Sequence, residues 1–329
     1  AQAVEQGRDP AGIANLALRV DGEVRINPPR PLIRDLDSLP FLDYSCDDHW
    51  VYDRPRRRLI PLDAVELERN AAQYPDRDRI LRKTYKTMWT RGCPHHCAFC
   101  VTPAAFGPTI RSHSVERVLE DITVVARRGR GRLWFADPNF SYDEARVHAI
   151  LEGIARRELP VGMWIETRAD MLTPELLGLL ARTGVHTVAL GLESAVPRVL
   201  ERSGKAIEPD AIRIAAETAL AAGLDVELFS QYGLPGETLE DALETLRFVQ
   251  NCGVAVRGNS NAQQMQLYFG SAIIRNPEAH GIRPLRDDLP PYLALGDEFE
   301  TEWMTRADMD RARAAWSAAS VDGGKRIVS

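Results

Sequence analysis

Short apolar segments alternate with longer amphipathic segments from residue 86 to about residue 270. The apolar segments contain many β-branched and aromatic side chains, which is the pattern of buried strands. The segments between them have the spacing of helices with one apolar face, as in SVERVLEDITVVARRG (114–129). The predicted strands are KTMWT (86–90), RLWFA (132–136), GMWIE (162–166), TVALGL (187–192), DVELFS (225–230) and AQQMQLY (262–268).

Capping residues mark two of the predicted helix starts. Ser141 is followed three residues later by Glu144, which is the spacing of a capping box. Thr173 comes directly before Pro174, and proline favours the first position of a helix. We therefore expect helices to begin just after Ser141 and Thr173.

The alternation of strands and helices predicts an α/β fold with a parallel sheet. Each βα unit takes about thirty residues, which is the usual size of that unit. A complete eight-fold barrel needs about 250 residues, so this segment predicts a partial (β/α)6 TIM-like barrel instead. In such a barrel the reactive groups lie at the carboxyl ends of the strands.

Three regions are expected along the chain. Residues 1–85 contain a hairpin, LALRVDGEVRI (16–26), and a proline-rich linker arm, NPPRPLIRDLDSLPF (27–41), which we interpret as a remnant following an upstream domain. Residues 86–270 form the barrel. Residues 271–329 form a short C-terminal extension with a helix at TRADMDRARAAW (305–316), which we expect to cover the barrel mouth and determine the substrate.

Composition and charge narrow the function classes. Net charge is -6 with both signs mixed, which argues against a general nucleic-acid-binding protein. There is no long apolar run typical of a membrane span and no signal-peptide pattern at the start of the sequence. Three of the five cysteines fall within RGCPHHCAFC (91–100), which is unlike a disulfide framework. These features favour a metal-containing protein of the reducing cytoplasm.

The clustered cysteines follow the first predicted strand directly. A zinc site would normally have four protein ligands, and His95 or His96 could join Cys93, Cys97 and Cys100. An iron-sulfur cube held by three thiolates would leave one iron open for chemistry. Both interpretations are open on the residues alone.

The motif CxxxCxxC, with Phe99 directly before its last cysteine, resembles that of the radical S-adenosylmethionine (SAM) superfamily. Three later segments are similar to motifs of the same family: ALGLES (189–194), GLPGET (233–238) and MQLYFGS (265–271). The arm resembles the linker of the cobalamin-associated branch, although the chain has no DxHxxG cobalamin signature. The resemblance implies that a cobalamin-binding domain, where one exists, lies upstream of Ala1.

The resemblance implies two cofactors, a 4Fe-4S cluster on the three cysteines and SAM on the open iron. It also implies a small-molecule substrate and an electron donor such as flavodoxin or ferredoxin. One-electron cleavage of SAM would give a 5′-deoxyadenosyl radical. The expected reaction is cobalamin-dependent methylation of an unactivated position. The alternatives are cobalamin-independent dehydration or dehydrogenation of a sugar-like substrate, and a non-catalytic zinc-binding protein.

The family motifs suggest which residues hold the polar end of SAM. Glu193 could bind the ammonium group or the ribose, and its alternative role is a helix cap or salt bridge. Lys205 could bind the carboxylate, unless it is a surface lysine. Asp137 and Asn139 stand where many members have Gly-Gly-Glu, and could equally be ordinary loop residues. Arg168 should point into the barrel mouth.

Other residues are expected to line the nucleoside side of the site. Gly233 and Gly236 would let the backbone approach the nucleoside, or would simply form a turn. Gln231 could reach the ribose, and Tyr268 could line the adenine unless it belongs to the core. The remaining cysteines, Cys46 and Cys252, are expected to be buried and inert.

Overall fold

The computed structural model describes residues 2–43, 50–53, 57–61, 85–127, 132–257, 262–284 and 299–320. The prediction for Cys46 lies outside these residues. The chain divides into two compact units, Ala1–Leu36 and Asp37–Ser329. The three regions expected from the sequence remain a prediction.

The first unit contains a short helix and the predicted hairpin. Helix α1 spans Gln2–Glu5, and strands β1 (Ala17–Val20) and β2 (Glu23–Ile26) pair antiparallel. At the turn, Asp21 and Gly22 have φ angles of 50° and 84°. Two consecutive positive φ angles match the twist of a two-residue hairpin, which explains the Asp-Gly pair and confirms the predicted hairpin.

The second unit consists mainly of alternating strands and helices. Its strands are β3 (Trp50–Asp53), β4 (Arg58–Pro61), β5 (Tyr85–Thr87), β6 (Thr90–Arg91), β7 (Arg111–Ser112), β8 (Arg132–Phe135), β9 (Gly162–Thr167), β10 (Val185–Glu193), β11 (Asp225–Tyr232), β12 (Ala262–Gln264), β13 (Ile282–Pro284) and β14 (Phe299–Thr301). Its helices are α2 (Thr102–Phe106), α3 (Val115–Arg127), α4 (Glu144–Arg156), α5 (Pro174–Arg182), α6 (Pro197–Arg202), α7 (Pro209–Ala221), α8 (Leu239–Asn251), α9 (Ala272–Arg275) and α10 (Arg306–Ala319).

A six-stranded sheet lies at the centre of this unit, in the order β12-β11-β10-β9-β8-β5. All five neighbouring pairs in that order are parallel. The strands follow one another in sequence order, so each crossover returns to the next position in the sheet, as in a TIM barrel. The sheet is curled into a half barrel, which confirms the predicted partial barrel and the existence of all six strands.

Alternating side chains divide this sheet into two faces. On β8, Leu133 and Phe135 are fully buried in the core that the helices cover. Trp134 lies between them in sequence and therefore points to the opposite face. There its ring contacts Trp164 of β9, with ring centroids 4.9 Å apart. The inner face of the half barrel thus carries aromatic side chains below the carboxyl ends of the strands.

The helix predictions are confirmed except for one cap. The predicted apolar face of α3 is buried, with Val118, Ile122 and Val125 at 0% exposure. The Thr173 side chain accepts the N–H of Leu176 at the start of α5. The expected cap at Ser141 was wrong: α4 begins at Glu144, and its cap is Asp143. An aspartate two residues later is an equally good cap, so sequence alone could not decide between the two.

The C-terminal segment packs against the last strands of the sheet. Helix α10 is closed at its start by a capping box between Thr305 and Asp308. Its Met309 is fully buried, and the Met309 sulfur accepts a hydrogen bond from Gln264 of β12 at 2.9 Å. Arg313 donates to the Tyr232 hydroxyl at the end of β11, at 3.3 Å. Among the helices that the structure describes, none has the length and hydropathy needed to cross a lipid bilayer.

Candidate functional site

The cysteine loop follows β5 and β6 and is fixed on three sides by backbone hydrogen bonds. Cys93 donates its N–H to the Gly107 carbonyl at 3.2 Å. Ala98, between the second and third cysteines, donates to Ser203 at 2.8 Å and accepts from Ile273 at 3.1 Å. The loop is therefore held by the residues before β7, by the end of α6 and by α9. Its shape depends on the barrel around it.

Two glycines allow these close approaches. Gly92 has a φ of 95°, and a Cβ there would lie 2.2 Å from the Thr109 carbonyl oxygen. Gly204 has a φ of 67°, and a Cβ there would lie 2.8 Å from the His96 carbonyl oxygen. A side chain at either position would displace the loop that carries the cysteines.

Cys93, Cys97 and Cys100 are free and half-buried at this position. Burial raises the pKa of Cys97 to about 11 and also raises that of Cys93, so without metal both are protonated thiols. The positive charge of Lys205 acts against this effect and lowers the pKa of Cys97. Iron binding would remove these protons, because the thiolate is the form that binds metal.

The donor set fits an iron-sulfur cluster. Within the described residues no three His, Cys, Asp or Glu side chains converge in the way that holds a single metal ion. Thiolates on separate irons of a cluster do not need to meet at one point. In the same loop the buried Nε2 of His95 has no hydrogen-bond partner among the described residues. This nitrogen can therefore form a hydrogen bond to a group bound at the loop.

Glu193, Lys205 and Gln231 meet at the carboxyl end of the sheet. Glu193 ends β10, and its carboxylate accepts from Lys205 Nζ at 2.8 Å through Oε1 and from Gln231 Nε2 at 2.6 Å through Oε2. Lys205 Nζ also donates to the Gly191 carbonyl at 2.7 Å. The side chains of Lys205 and Glu193 are only 6% and 12% exposed. Their charges both influence Cys97, which places this network beside the cysteine loop.

Gly191 makes room for this network. A Cβ at Gly191 would lie 2.6 Å from Lys205 Nζ and 2.8 Å from Glu193 Oε1. The pairing of β10 with β11 shifts between Gly191 and Glu193, and Glu193 has a φ of 64°. A left-handed backbone at a non-glycine residue costs about 1–2 kcal/mol. The strand end is therefore strained in the conformation that turns this carboxylate toward Lys205 and Gln231.

Arg168 lies just beyond β9 and is held by a bidentate ion pair. Its Nε and Nη2 donate to Asp170 at 3.0 and 2.7 Å, and Nη2 also donates to the Ala206 carbonyl at 2.8 Å. The guanidinium also acts on the pKa of Cys93, in the lowering direction. Arg168 is thus placed close to the cysteine loop with its orientation fixed by Asp170.

Asp137 and Asn139 form part of the loop after β8 and are buried. Asp137 Oδ1 accepts from both the N–H and the hydroxyl of Thr90, at 2.5 and 2.6 Å. Asn139 accepts from the Thr167 hydroxyl at 2.8 Å and donates to the Met171 sulfur at 3.0 Å. These contacts give both residues a role in joining neighbouring strand ends, and a role in binding SAM remains a prediction.

The GLPGET segment forms a closed turn after β11. Gly233 and Gly236 have φ angles of 83° and 82°. Glu237 accepts the N–H groups of Gly233 and Leu234 at 2.6 and 3.1 Å, and burial raises its pKa to about 8. A Cβ at Gly233 would lie 3.1 Å from Met309 Cε, so α10 occupies the space beside this glycine. The approach of Gly233 and Gly236 to the nucleoside of SAM stays a prediction.

The two aromatic candidates differ in their surroundings. Phe99 is partly buried and packs against the hydrophobic core. Tyr268 is 40% exposed and donates to Gln266 at 3.0 Å, so it is not a core residue. The structure therefore brings Glu193, Lys205 and Gln231 into one network but leaves Tyr268 at the surface.

Sequence reasoning missed three residues that shape the site. Gly191 makes room for the Lys205–Glu193 pair. Asp170 orients Arg168, and Glu237 closes the GLPGET turn. A glycine inside a strand usually marks a close approach, so Gly191 did carry a readable signal. Glu237 was marked only by its place in the GLPGET segment, and Asp170 carried no signal, because charged residues in loops are common.

Comparison with known proteins agrees with this geometry. Residues 87–249 match the family described as the Radical SAM superfamily. An uncharacterized methyltransferase of Pyrococcus horikoshii is 30% identical over 77% of this chain and 50% of its own length. The cytidylyl-2-hydroxyethylphosphonate methyltransferase of Streptomyces wedmorensis is 25% identical over 71% of this chain and 46% of its own length. The chain spans about half the length of these relatives.

Two solved structures share the fold. The radical SAM methyltransferase TsrM from Kitasatospora setae superposes with a TM-score of 0.65 at 17% identity, over 94% of this chain and 64% of that chain. The cobalamin-dependent SAM radical enzyme OxsB superposes with a TM-score of 0.65 at 16% identity, over 96% of this chain and 48% of that chain. Residues 87–249, which carry the cysteine motif at the carboxyl end of the parallel half barrel, form a domain of the Radical SAM superfamily, and the two solved structures have the same fold.

Proposed function

We propose that this chain is the catalytic part of a methyltransferase that cleaves SAM by radical chemistry and acts on a small molecule. The observation that carries the proposal is the buried network of Glu193, Lys205 and Gln231 beside Cys97. The names of two relatives, both methyltransferases, support methylation as the reaction.

Cys93, Cys97 and Cys100 would hold a 4Fe-4S cluster, with the fourth iron open to SAM. When bound and reduced, the cluster supplies the one electron that breaks a carbon–sulfur bond of SAM, giving methionine and a 5′-deoxyadenosyl radical. The half-buried setting of the three thiols limits their contact with water. The enzyme's share is to bind, orient and shield the reactants.

The Lys205–Glu193 pair is complementary to the amino-acid part of SAM. That part carries a carboxylate and an ammonium on one carbon, and the pair offers an ammonium and a carboxylate held 2.8 Å apart. Exchanging the internal ion pair for two ligand contacts keeps every buried charge partnered. Gln231, already bonded to Glu193, would orient the carboxylate or reach the ribose. Arg168 supplies a second positive charge near Cys93.

Cobalamin would act through a domain outside this chain. The TsrM and OxsB structures were described with cobalamin bound, and both chains are longer than the part this chain matches. The proline-rich arm (27–41) resembles the linker after such a domain. A cobalamin-independent reaction on a sugar-like substrate is the alternative. Membership in an enzyme family does not support a non-catalytic zinc-binding protein.

The test is anaerobic reconstitution followed by liquid chromatography. Loaded protein given SAM and dithionite should release 5′-deoxyadenosine, and iron and sulfide analysis should give one four-iron cluster. Methyl transfer should require methylcobalamin and the upstream domain. Absence of 5′-deoxyadenosine from cluster-loaded protein would contradict the radical reaction. Substrate methylation with no cobalamin present would contradict the role of cobalamin.

A further inference from the structure

His95 lies inside the cysteine loop, midway between Cys93 and Cys97 in sequence. Its ring nitrogen Nε2 is buried and has no hydrogen-bond partner among the residues that the structure describes. Buried polar atoms in native proteins nearly always have a partner, because an unpaired one lowers the stability of the fold. A group bound at the loop would supply the missing partner.

The main chain of His95 already contacts one of the thiols. Burial raises the pKa of Cys93, and a hydrogen bond from the His95 backbone N–H acts in the lowering direction. The side chain of His95 is attached to the atom next to this nitrogen. The ring of His95 therefore starts beside the Cys93 sulfur.

The charges that act on His95 also act on the thiols. Burial lowers the pKa of His95, and the positive charges of Arg168 and Lys205 lower it further. The same two charges act on Cys93 and on Cys97. The ring and the two thiols thus have the same charged neighbours, which places Nε2 on the side of the loop where the sulfur atoms lie.

The next residue, His96, has a different setting. Its side chain is exposed, and its carbonyl oxygen packs against Gly204. The loop therefore carries two adjacent histidines, of which only His95 has a buried ring nitrogen without a partner in the described part of the chain. This pair allows the same substitution to be compared at a buried and at an exposed ring.

We propose that His95 Nε2 donates a hydrogen bond to a sulfur atom of the cluster and thereby raises the reduction potential of the cluster. The proposal rests on the proposed function, which gives Cys93, Cys97 and Cys100 a 4Fe-4S cluster. Cluster sulfur atoms accept hydrogen bonds, so Nε2 is the ring nitrogen that carries the proton. The reduced cluster has one more negative charge than the oxidised cluster, so a donor stabilises the reduced form more.

The test is a redox titration of the cluster-loaded full chain without SAM, followed by electron paramagnetic resonance. His95→Phe keeps a ring but removes both nitrogens, and His95→Gln keeps an N–H donor on a side chain of similar length. His96→Phe is the matched control, because it makes the same change at the exposed neighbour. Iron content is checked in every variant, and SAM affinity is measured by calorimetry. If His95→Phe does not take up a cluster, His95→Leu replaces it.

We expect His95→Phe to lower the reduction potential by about 59 mV, which corresponds to a tenfold change in the equilibrium constant of one-electron reduction. His95→Gln should restore most of this difference, and His96→Phe should have the wild-type potential. A purely structural role of His95 would change iron content and leave the potential of the loaded protein unaltered.

Equal potentials in His95→Phe and wild type, with a full cluster in both, would overturn this proposal and leave the proposed function intact. An unchanged potential with weaker SAM binding would overturn it as well, because Nε2 would then contact SAM and not the cluster. Loss of the cluster from every His95 variant but not from His96→Phe would also count against it, since His95 would then be needed to hold the cluster. A wild-type chain that takes up no four-iron cluster would contradict the proposed function itself.

Discussion

Lys205 Nζ lies 2.8 Å from Glu193 Oε1, and this ion pair has room because Gly191, within strand β10, has no side chain. We predict that Gly191→Ala pushes the pair apart and weakens SAM binding about tenfold, or about 1.4 kcal/mol. Isothermal titration of cluster-loaded protein with SAM measures the effect.

The control for this change is Gly178→Ala in helix α5. Its Cβ would meet only the flexible end of Arg182, at 3.2 Å, and alanine is a better helix former than glycine. The control should therefore bind SAM like wild type. Equal SAM affinity in Gly191→Ala and wild type would show that the pair is not part of the SAM site.

A second prediction separates stability from ligand binding. Removing one member of a buried ion pair leaves the other charge unpaired, which typically costs about 3–5 kcal/mol of unfolding free energy. Glu193→Gln and Lys205→Met should each be destabilised, and the double variant should be more stable than the sum of the two changes predicts. Urea unfolding measures the free energies.

In these three variants SAM affinity should not follow the unfolding free energy. Each single variant should lose about ten- to hundred-fold in affinity, because each removes a charge-assisted contact to the ligand. The double variant should recover stability without recovering affinity. Recovery of SAM affinity in the double variant would mean that the pair serves the fold and not the ligand.

The sequence was enough to predict the half barrel, because strands β8 to β11 are short segments rich in buried apolar and aromatic residues and are separated by helices. It was also enough to place Glu193 and Gln231, since both lie at the carboxyl ends of strands, where parallel sheets collect functional groups. It could not show that Lys205 bonds to Glu193, because the lysine follows a separate helix and reaches the strand end only after folding.

The role of Asp137 was also beyond the sequence. Its partner Thr90 is 47 residues away along the chain, and the contact depends on how β8 lies beside the start of the cysteine loop. The family motif suggested a SAM ligand, whereas the hydrogen bonds favour a link between strand ends. Side-chain contacts over such separations are set by packing, and a local pattern does not encode them.

A third prediction tests this role of Asp137. Asp137→Asn keeps an oxygen that can accept from the Thr90 N–H and hydroxyl. We therefore expect its SAM affinity to stay within about threefold of wild type, a change of less than about 1.4 kcal/mol in binding free energy. Thr90→Val removes the hydroxyl donor and should lower the unfolding free energy by about 1 kcal/mol. A loss of SAM affinity of ten-fold or more in Asp137→Asn would support a direct contact with the ligand instead.

A fourth prediction concerns the cluster. Cys97→Ala should abolish the four-iron cluster after reconstitution, because two thiolates would remain in the motif. Cys252→Ala should keep full iron content, since Cys252 is buried at the end of α8. Iron and sulfide analysis with absorption spectra measures both. A full cluster in Cys97→Ala would contradict the assignment of this cysteine as a ligand.

The last prediction is the pH dependence of stability that Glu237 imposes. Burial raises the pKa of this carboxyl to about 8, well above the value of about 4.3 for an unfolded glutamate. Between these values the folded chain holds a proton that the unfolded chain has lost, so the unfolding free energy falls as pH rises from about 5 to 8. Glu237→Gln is neutral in both states and should escape this loss.

We therefore subtract the unfolding free energy of wild type from that of Glu237→Gln at each pH. This difference should be larger at pH 8 than at pH 5 by more than about 1.4 kcal/mol. Glu240→Gln, at an exposed position of α8, the helix that follows the turn, is the control and should follow the wild-type curve. Titration of the cysteines is common to all three proteins and cancels in the differences. Parallel curves for wild type and Glu237→Gln would mean that the two backbone N–H groups of Gly233 and Leu234 keep this carboxyl ionised in the folded chain.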